Sequence, residues 1–487
     1  MFVAIGIALL FLLTLICGGI CLARALPKKM PRMAVMLGFL VVLGAGAWLR
    51  LGLVPAHHVM YLDEPWYQEA AGSLLEKGRM ELCEETFKEE ICQPYPKAPG
   101  WPVMLSGVFV FTGVSDMAAI GFCAFLGIIT ILLAAACARL AGGGWLHALS
   151  AAVILAVFPS HASWSATAET SIPAAAALMA GMCGVLLFLK NNRIEAALLA
   201  MGGLALSATV RPELLVAVIP AGVLMVLLKK RAGYIGAGLI LAGILFAVFS
   251  MVPMWKLNQE IYGGAFFSPG NILKSPAALF DVPWLGVAYL LLLVLGVAGT
   301  VSKRSRPAVL LGCSALLCII TLFAFERFAE RMMIAPAVLL IPLAVFAGDW
   351  SKQRMPWIVG IVVIGVSVPG LMTASRPSHT QVLQTRLSVA VAGHILEENS
   401  LIIAEYPAVL TSHDNVMATD RALAGDLKEL LTQRPVYFLK DMYCEEGFEG
   451  ADKPIACGRI QKDFELKPVV EVEAPGRVYG LYRLSGR

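Results

Sequence analysis

Long apolar segments alternate with short polar connections up to residue 375 of the chain. A helix needs about 17–25 mostly apolar residues to cross a hydrocarbon core of roughly 30 Å. Twelve segments, several of them short, are predicted to be spans: 2–22, 34–54, 116–138, 146–161, 169–189, 194–210, 213–228, 232–254, 284–301, 307–324, 332–348 and 356–373. The pattern therefore predicts a mostly α-helical polytopic membrane protein with about 12 transmembrane helices.

The pattern changes after residue 375, where polar residues become frequent and apolar positions take a period of two. Four segments are predicted to be strands: 400–409, 434–441, 467–474 and 477–484. Together with helical stretches such as 421–431, they predict a small soluble α/β domain over 376–487. We see no nucleophile motif, phosphate loop or metal-ligand spacing in it.

Two further domains precede this one. The segment 2–22 has no basic residues before it and no clear cleavage site, so it is predicted to be a retained span rather than a signal peptide. With the loop that follows, it forms an extra N-terminal domain over 1–33. The predicted transmembrane domain covers 34–375 and includes an outer loop at 55–115.

The distribution of charge gives the orientation. Of the 487 residues, 58% are hydrophobic and 15% are charged. Basic residues concentrate in alternate short loops, which are therefore predicted to be cytoplasmic: 23–33, 139–145, 190–193, 229–231, 302–306 and 349–355. Of the 34 acidic residues, just Glu195 and Asp349 lie on that side. We therefore expect an integral membrane protein whose C-terminal domain faces the periplasm or exterior, and no nucleic-acid partner, because topology explains the basic residues. A bacterial inner (plasma) membrane is the expected location.

Cysteine use agrees with this orientation. Seven of the eleven cysteines lie within apolar spans, where a cysteine is an ordinary small hydrophobic residue. The other four form two close pairs in outer segments, Cys83 with Cys92 and Cys444 with Cys457. Both pairs are predicted to be disulfides. Zinc binding is the weaker alternative, because neither pair has CxxC spacing or a nearby His.

Ionisable residues gather near the predicted outer ends of the spans. They are Arg50, Asp63, Glu64, Lys97, Glu169, Arg211, Glu213, Glu326, Arg327, Glu330 and Arg331. Such residues at membrane depth usually mark a functional site or an ion pair. A carboxylate in an apolar place can act as a general base toward a hydroxyl, and Arg or Lys can bind a phosphate. The collection predicts one cavity that opens outward.

Simpler structural roles remain open for these residues. Asp63 and Glu64 begin a predicted interfacial helix over 64–78, where acidic residues favour the helix N-terminus. The side chain of Lys97 can snorkel from a loop. The other residues can form local structure: Arg327 and Arg331 with Glu326 and Glu330, Arg211 with Glu213 across a tight turn, and Glu169 at the start of a span.

The order of several motifs resembles the GT-C-type membrane glycosyltransferases, in particular the protein O-mannosyltransferases and the lipid A aminoarabinose transferases. The motifs are DEPWY at 63–67, YPKAPGWP at 95–102, Glu169, RPE at 211–213, IYGGAFFSPG at 261–270 and FERFAERMMIAPAVL at 325–339. The resemblance covers roughly residues 34–373. Each motif alone is loose, and their order carries the likeness.

This resemblance implies a function and a site. A sugar would move, with inversion, from a polyprenyl-phosphate donor to an acceptor lipid, glycan or protein on the outer face. Asp63 would be the general base, supported by Glu64. Candidates for the donor phosphate are Lys97, Arg327, Arg331 and Arg50. Candidates for the substrate groove are Tyr67, Glu169, Arg211 and Tyr262.

The chain departs from the family in two places. Relatives often have an acidic residue where this chain has Pro96, and the span at 2–22 precedes their usual first helix. The first departure leaves the metal question open: no cofactor is required, no metal ligand is assigned, and a divalent cation stays possible. Two alternatives to an enzyme also remain, a transporter or flippase of a lipid-linked or small polar substrate and a non-catalytic relative with the same fold.

Overall fold

The structure is a computed structural model. It describes residues 2–25, 33–57, 63–85, 90–227, 231–262, 276, 283–324, 330–347, 356–374, 379–394, 396–397, 399–405, 416–424, 427–446, 455–474 and 477–486. The chain divides into two compact units. The first unit comprises Met1–Val54, Pro96–Met104 and Phe122–Arg376, and the second comprises Pro55–Tyr95, Leu105–Gly121 and Pro377–Arg487. Residues 55–95 and 105–121 thus belong to the same unit as the C-terminal residues. The domain boundaries expected from the sequence stay a prediction.

Helices dominate the chain up to residue 374. They are α1 (Phe2–Ala25), α2 (Met33–Trp48), α3 (Asp63–Lys77), α4 (Gly100–Thr112), α5 (Asp116–Leu140), α6 (Trp145–Val157), α7 (Pro159–Trp164), α8 (Ser171–Asn191), α9 (Ile194–Val210), α10 (Leu215–Leu227), α11 (Arg231–Tyr262), α12 (Pro283–Lys303), α13 (Arg306–Phe323), α14 (Ile334–Ala344) and α15 (Pro356–Ala374). A π-helical turn, Leu49–Leu53, extends α2. Short 3₁₀ turns, Pro212–Leu214 and Glu330–Met333, precede α10 and α14.

All twelve predicted spans coincide with apolar helices. Within the described residues, seven of these are long and apolar enough to cross a membrane: Val3–Ile20, Met33–Leu53, Asp116–Leu140, Ser171–Asn191, Gly233–Val252, Trp284–Lys303 and Arg306–Phe323. The other five segments contain shorter apolar helices: Trp145–Val157, Ile194–Val210, Pro212–Leu227, Arg331–Ala344 and Ile361–Met372. The count of twelve spans therefore stays a prediction.

Two prolines of the first unit, Pro159 and Pro212, determine where α6 and α9 end. Phe158 precedes Pro159 and has an extended backbone (ψ 119°), so α6 ends there. Arg211 precedes Pro212 and is also extended (ψ 101°), so α9 ends at Val210. Extended backbone is what a residue before proline prefers. Both breaks follow an apolar helix and place polar side chains at its end.

Helices α8 and α9 form a close antiparallel hairpin. The chain reverses at Asn192, which adopts the left-handed conformation (φ 51°) that often ends a helix. Glycines allow the two backbones to approach: a Cβ on Gly184 would overlap the backbone of Ala200, and one on Gly203 would overlap that of Gly181. The start of α8 therefore lies beside the end of α9.

The second unit contains a hairpin and a larger sheet. The strands are β1 (Glu81–Glu85), β2 (Glu90–Pro94), β3 (Leu401–Ala404), β4 (Val416–Ala418), β5 (Val436–Lys440), β6 (Phe464–Ala474) and β7 (Arg477–Gly486). Strands β1 and β2 pair antiparallel, with Cys83 opposite Cys92. The larger sheet has the order β4-β3-β5-β7-β6. Strand β3 is parallel to its two neighbours, β4 and β5. Strand β7 is antiparallel to its two neighbours, β5 and β6.

Helices pack against both faces of the larger sheet. They are α16 (His379–Ala392), α17 (Thr419–Ala424), α18 (Leu427–Gln433), α19 (Met442–Glu446) and α20 (Ile455–Asp463). Leu387 of α16 packs on the face that carries Ile402, and Ile460 of α20 packs on the face that carries Ile403. Because both faces are covered, β3 is apolar throughout.

Candidate functional site

The first unit brings three of the predicted site residues into one buried ionic cluster. Glu169 is 2% exposed, and its Oε1 lies 3.6 Å from Arg211 NH1 and 3.4 Å from Arg331 Nε. Arg211 also donates from Nε to Glu213 Oε1 at 2.6 Å and from NH1 to Ser171 Oγ at 2.6 Å. One carboxylate thus lies between two guanidinium groups.

The start of α8 and the end of α9 place the residues of this cluster. Glu169 precedes α8 and Arg211 follows α9, so the close hairpin places them side by side. Arg331 lies in the 3₁₀ turn Glu330–Met333. Its guanidinium lies 5.6 Å from the ring centre of Trp164. A cation over an indole face is a favourable contact. Residues that are far apart in sequence therefore share one ionic site.

An apolar cavity of about 130 Å³ adjoins the 3₁₀ turn Glu330–Met333. Its lining includes Tyr289, Leu290, Leu293, Phe323, Met333 and Leu340. Met333 lies on the same 3₁₀ turn as Arg331. The turn therefore carries both a cation, Arg331, and a residue of the apolar cavity wall, Met333.

Arg50 has a different environment from the one predicted. It is 1% exposed in the π-helical turn after α2. Its NH1 donates to the carbonyls of Gly46 and Ala156, its NH2 donates to the carbonyl of Leu155, and NH2 lies 2.7 Å from His161 Nδ1. These contacts join α2 to the proline break after α6. They favour a structural role, and we leave Arg50 out of the phosphate site proposed below.

Asp63 and Glu64 form the first turn of α3 in the second unit. Asp63 is half-buried, whereas Glu64 is fully buried. Of the two residues, Asp63 is therefore the more exposed to solvent. Glu64 is placed to support the helix start from within.

Tyr67 lies on the same face of α3 as Asp63. It is buried rather than exposed at an interface, and its ring packs edge-on against Tyr95, with ring centres 6.5 Å apart. Burial raises the pKa of Tyr95 well above its ordinary value, and the Asp63 carboxylate raises that pKa further. The Tyr95 hydroxyl therefore keeps its proton at neutral pH.

The structure describes little of the environment of three further predicted residues, Lys97, Arg327 and Tyr262. Lys97 is half-buried in the turn before α4. Arg327 lies outside the described residues, as does the side chain of Tyr262 at the end of α11. The roles predicted for Lys97, Arg327 and Tyr262 stay predictions.

Both predicted disulfides are present. Cys83 bonds to Cys92 across the β1–β2 hairpin, and Cys444 bonds to Cys457 in the C-terminal part of the second unit. Glu81 lies close to Cys83 and Cys92, a grouping that could otherwise bind a metal ion. Because those sulfurs bond to each other, they are not thiolate ligands.

Sequence reasoning missed several residues of these sites. His161 contacts Arg50 from the proline break, Ser171 contacts Arg211, and Trp164 lies under Arg331. The segment PSHASW, 159–164, did carry a signal, because His161 ends a predicted span and a His is unusual at membrane depth. Ser171 and Trp164 gave none, since their neighbours in space are distant in the chain.

Comparisons with known proteins bear on the fold. No family model matches the chain, and no curated protein matches it. Among solved structures, ArnT from Cupriavidus metallidurans in the apo state has a TM-score of 0.58 at 11% identity, with 92% of this chain and 98% of that chain covered. The same enzyme bound to undecaprenyl phosphate has a TM-score of 0.55 at 11% identity, with 93% and 98% covered.

The Archaeoglobus fulgidus oligosaccharyltransferase in its apo form is a further neighbour. Its TM-score is 0.50 at 11% identity, with 95% of this chain and 75% of that chain covered. The chain therefore has the GT-C glycosyltransferase fold that its motifs resemble. At such identities a shared fold does not fix the substrates.

Proposed function

We propose that this protein is a membrane glycosyltransferase that moves a sugar from a polyprenyl-phosphate donor to an acceptor lipid, glycan or protein on the outer face of the membrane. One observation carries the donor class: Arg331 and the cavity-lining Met333 share one turn in a protein with the GT-C fold. The ArnT neighbour has been solved with undecaprenyl phosphate bound.

The donor would bind in two parts. The polyprenyl chain lies along the apolar walls formed by residues such as Leu290 and Leu340, and the phosphate lies at Arg331. An Arg can bind phosphate oxygens with two N–H donors at once. Glu169 orients that guanidinium from behind, at 3.4 Å from Nε. Lys97 and Arg327 are further candidates for this phosphate.

Asp63 would act on the acceptor. Its carboxylate takes the proton of the acceptor hydroxyl while the hydroxyl oxygen forms a bond to the anomeric carbon. The bond from that carbon to the phosphate oxygen breaks with its electron pair, and polyprenyl phosphate leaves. A single displacement of this kind inverts the anomeric centre.

Replacing Asp63 by Asn separates this role from helix capping. Asn is as good as Asp at a helix N-terminus but cannot accept the proton. Asp116 opens α5 in the same way and supplies the matched control. We expect Asp63→Asn to fail to restore, in a strain that lacks the gene, the surface glycans and modified lipids that the wild-type gene restores. Asp116→Asn should restore them.

Two results would refute the base assignment or the function. If Asp63→Asn restores the profiles at normal expression, Asp63 is not the base. If the deletion leaves lipids, glycans and glycoproteins unchanged, the protein is not a glycosyltransferase of this kind, and transport of a polar substrate becomes the hypothesis to test.

The phosphate site needs a test that accounts for the ion pair. Arg331→Gln alone leaves Glu169 with one fewer cation, and removal of one partner of a buried pair typically destabilises by about 3–5 kcal/mol. The double variant Arg331→Gln, Glu169→Gln removes both charges. We expect it to fold but to lose the thermal stabilisation that added undecaprenyl phosphate gives the wild type. Undiminished stabilisation would exclude Arg331 from the phosphate site.

A further inference from the structure

The two disulfides of the second unit differ in their access to solvent. In the β1–β2 hairpin, Cys92 is exposed and its partner Cys83 is half-buried. In the other disulfide, Cys444 and Cys457 are both buried. Exposed disulfides are the ones that exchange with external thiols, whereas buried structural ones resist reduction. Access alone therefore favours exchange at Cys83–Cys92.

A lysine lies against the exposed disulfide. The Nζ of Lys77, in the last turn of α3, is 3.3 Å from Cys83 Sγ and 3.7 Å from Cys92 Sγ. A disulfide is neutral, but the thiolate that forms when it breaks is negative, so a nearby ammonium stabilises the reduced form. A better-stabilised thiolate also leaves faster. The position of Lys77 therefore favours reduction of this bond.

The fold fixes the position of Lys77 relative to the two sulfurs. Strand pairing sets Cys83 directly opposite Cys92. The backbone N–H of Cys83 donates to the carboxylate of Glu69, which lies on α3 as Lys77 does. The hairpin is thus attached to the helix at the disulfide itself, and the ammonium stays within reach of both sulfurs.

The buried disulfide has different neighbours. Glu405 Oε2 lies 3.6 Å from Cys457 Sγ, and the Gln461 amide nitrogen lies 3.7 Å from Cys444 Sγ. An acidic group at that distance disfavours a thiolate, and a neutral amide supplies no charge to offset it. This second disulfide is therefore an internal reference of the opposite kind, buried and beside a carboxyl group.

We propose that Cys83–Cys92 is a site of thiol–disulfide exchange with a dithiol reductant, and that Lys77 accelerates the exchange. A thiolate of the dithiol attacks Cys92 Sγ, the exposed sulfur, and forms a mixed disulfide. The bond between Cys83 and Cys92 breaks, and its electron pair goes to Cys83 Sγ, which leaves as a thiolate beside Lys77.

The second half of the exchange completes the balance. The other thiol of the dithiol loses its proton and attacks the dithiol's own sulfur in the mixed disulfide, so that Cys92 leaves. The dithiol is oxidised to a disulfide, the protein disulfide is reduced to two cysteines, and the two protons of the dithiol end on those cysteines. This inference does not depend on the glycosyltransferase function. It gives the hairpin beside α3, the helix that begins at Asp63, a redox state that a dithiol can change.

The test follows the reduction of each disulfide in the folded, purified full-length protein. Dithiothreitol is added at about pH 8, where much of it is thiolate, and released thiols are alkylated and assigned to peptides by mass spectrometry. A chelator is present, because Glu81 and the two freed sulfurs of the hairpin are close enough to bind a metal ion. We expect Cys83–Cys92 to be reduced at least about 10-fold faster than Cys444–Cys457.

Three lysine variants test the role of the ammonium. Lys77→Gln should slow the reduction of Cys83–Cys92 about threefold, and Lys77→Arg, which keeps the charge, should retain the wild-type rate. The matched control is Lys467→Gln, which removes an exposed lysine from β6 of the same unit and should leave the rate unchanged. Because Lys77 is exposed, its variants are expected to fold.

Each part of the proposal can be overturned. Equal reduction rates for the two disulfides would show that the hairpin is no special site of exchange. If Lys77 simply fastens the hairpin to α3, its loss would expose the disulfide, so Lys77→Gln would speed reduction instead of slowing it. A faster or unchanged rate in Lys77→Gln, or a slow Lys77→Arg, would exclude the charge-based role.

Discussion

Replacing Asp441 by Asn is expected to stabilise the C-terminal sheet above pH 7. Asp441 follows β5, is fully buried, and accepts a hydrogen bond from the Cys444 N–H at 3.0 Å. Burial raises the pKa of this carboxyl from 3.8 to about 7. The Glu405 carboxylate, at the end of the neighbouring strand β3, raises it further, whereas backbone N–H donors, including those of Cys444 and Tyr443, oppose the rise.

The sign follows from proton binding. Between about pH 4 and 7 the folded sheet keeps a proton on Asp441 that the unfolded chain has lost, so stability falls as pH rises. The loss is complete above the folded pKa of about 7. The difference between 3.8 and about 7 corresponds to about 4 kcal/mol, at about 1.36 kcal/mol per pKa unit. An Asn side chain is neutral at every pH, so Asp441→Asn should avoid this loss.

Hydrogen exchange of the full-length protein measures the effect locally. Peptides that cover β5 and β7 report the opening free energy of the sheet once intrinsic exchange rates are corrected for pH. We expect wild-type protection to fall from pH 5 to pH 8, and protection in Asp441→Asn to change far less. Glu405→Gln should move the wild-type transition to lower pH, because it removes a neighbouring negative charge.

Equal pH dependence in the wild type and Asp441→Asn would refute this reasoning. It would show that the carboxyl is ionised at neutral pH in the folded sheet. Wild-type protection that rises with pH would be a stronger contradiction, because the folded state would then bind the proton more weakly than the unfolded chain.

Three further predictions follow from the fold. Cys83→Ser with Cys92→Ser should weaken protection of the hairpin by about 2.5 kcal/mol, because the disulfide closes a short loop, and unchanged exchange there would contradict this. Arg50→Met should lower the thermal midpoint, as expected from a loss of about 3 kcal/mol when the Leu155 and Ala156 carbonyls lose their donor, yet keep stabilisation by undecaprenyl phosphate. A reporter fused after residue 376 should behave as external, and a cytoplasmic signal would contradict the charge-based orientation.

Local pattern predicted much of the fold. Span 194–210 coincides with α9, and 284–301 lies within α12, because apolar length alone specifies such helices. Strand β4 was missed, since Val416–Ala418 is too short to show a period of two. The disulfides were predicted because each pair is close in sequence and lies on the acidic side. Both the helices and the disulfides could be predicted because they depend on residues that are close along the chain.

The candidate site is formed by residues that are far apart in the chain. The sequence was less informative about which of these residues contact one another. It offered Glu326 and Glu330 as partners of the late arginines, and it gave no sign of the contact between Arg331 and Glu169. Glu326, Arg327 and the side chain of Glu330 lie outside the described residues, so the pairing with those two glutamates stays a prediction. It did foresee that Arg211 and Glu213 lie across a turn, and their ion pair at 2.6 Å spans it. What it could not foresee is the hairpin of α8 and α9, because close approach at Gly184 and Gly203 is a property of two helices together.

The sharing of Glu169 has a consequence for the proposed reaction. Glu169 and Glu213 balance Arg211 and Arg331, so the four side chains are together neutral before a donor arrives. A phosphodiester donor carries one negative charge, and the departing polyprenyl phosphate gains a second as the sugar leaves. If Arg331 binds the phosphate as proposed, its guanidinium would attract that growing charge and would stabilise the transition state more than the bound donor. Because Glu169 competes for the same guanidinium, it also limits how tightly the doubly charged product is held. A fully positive pocket would bind this product more strongly and release it more slowly, so the buried carboxylate fits a site that must turn over.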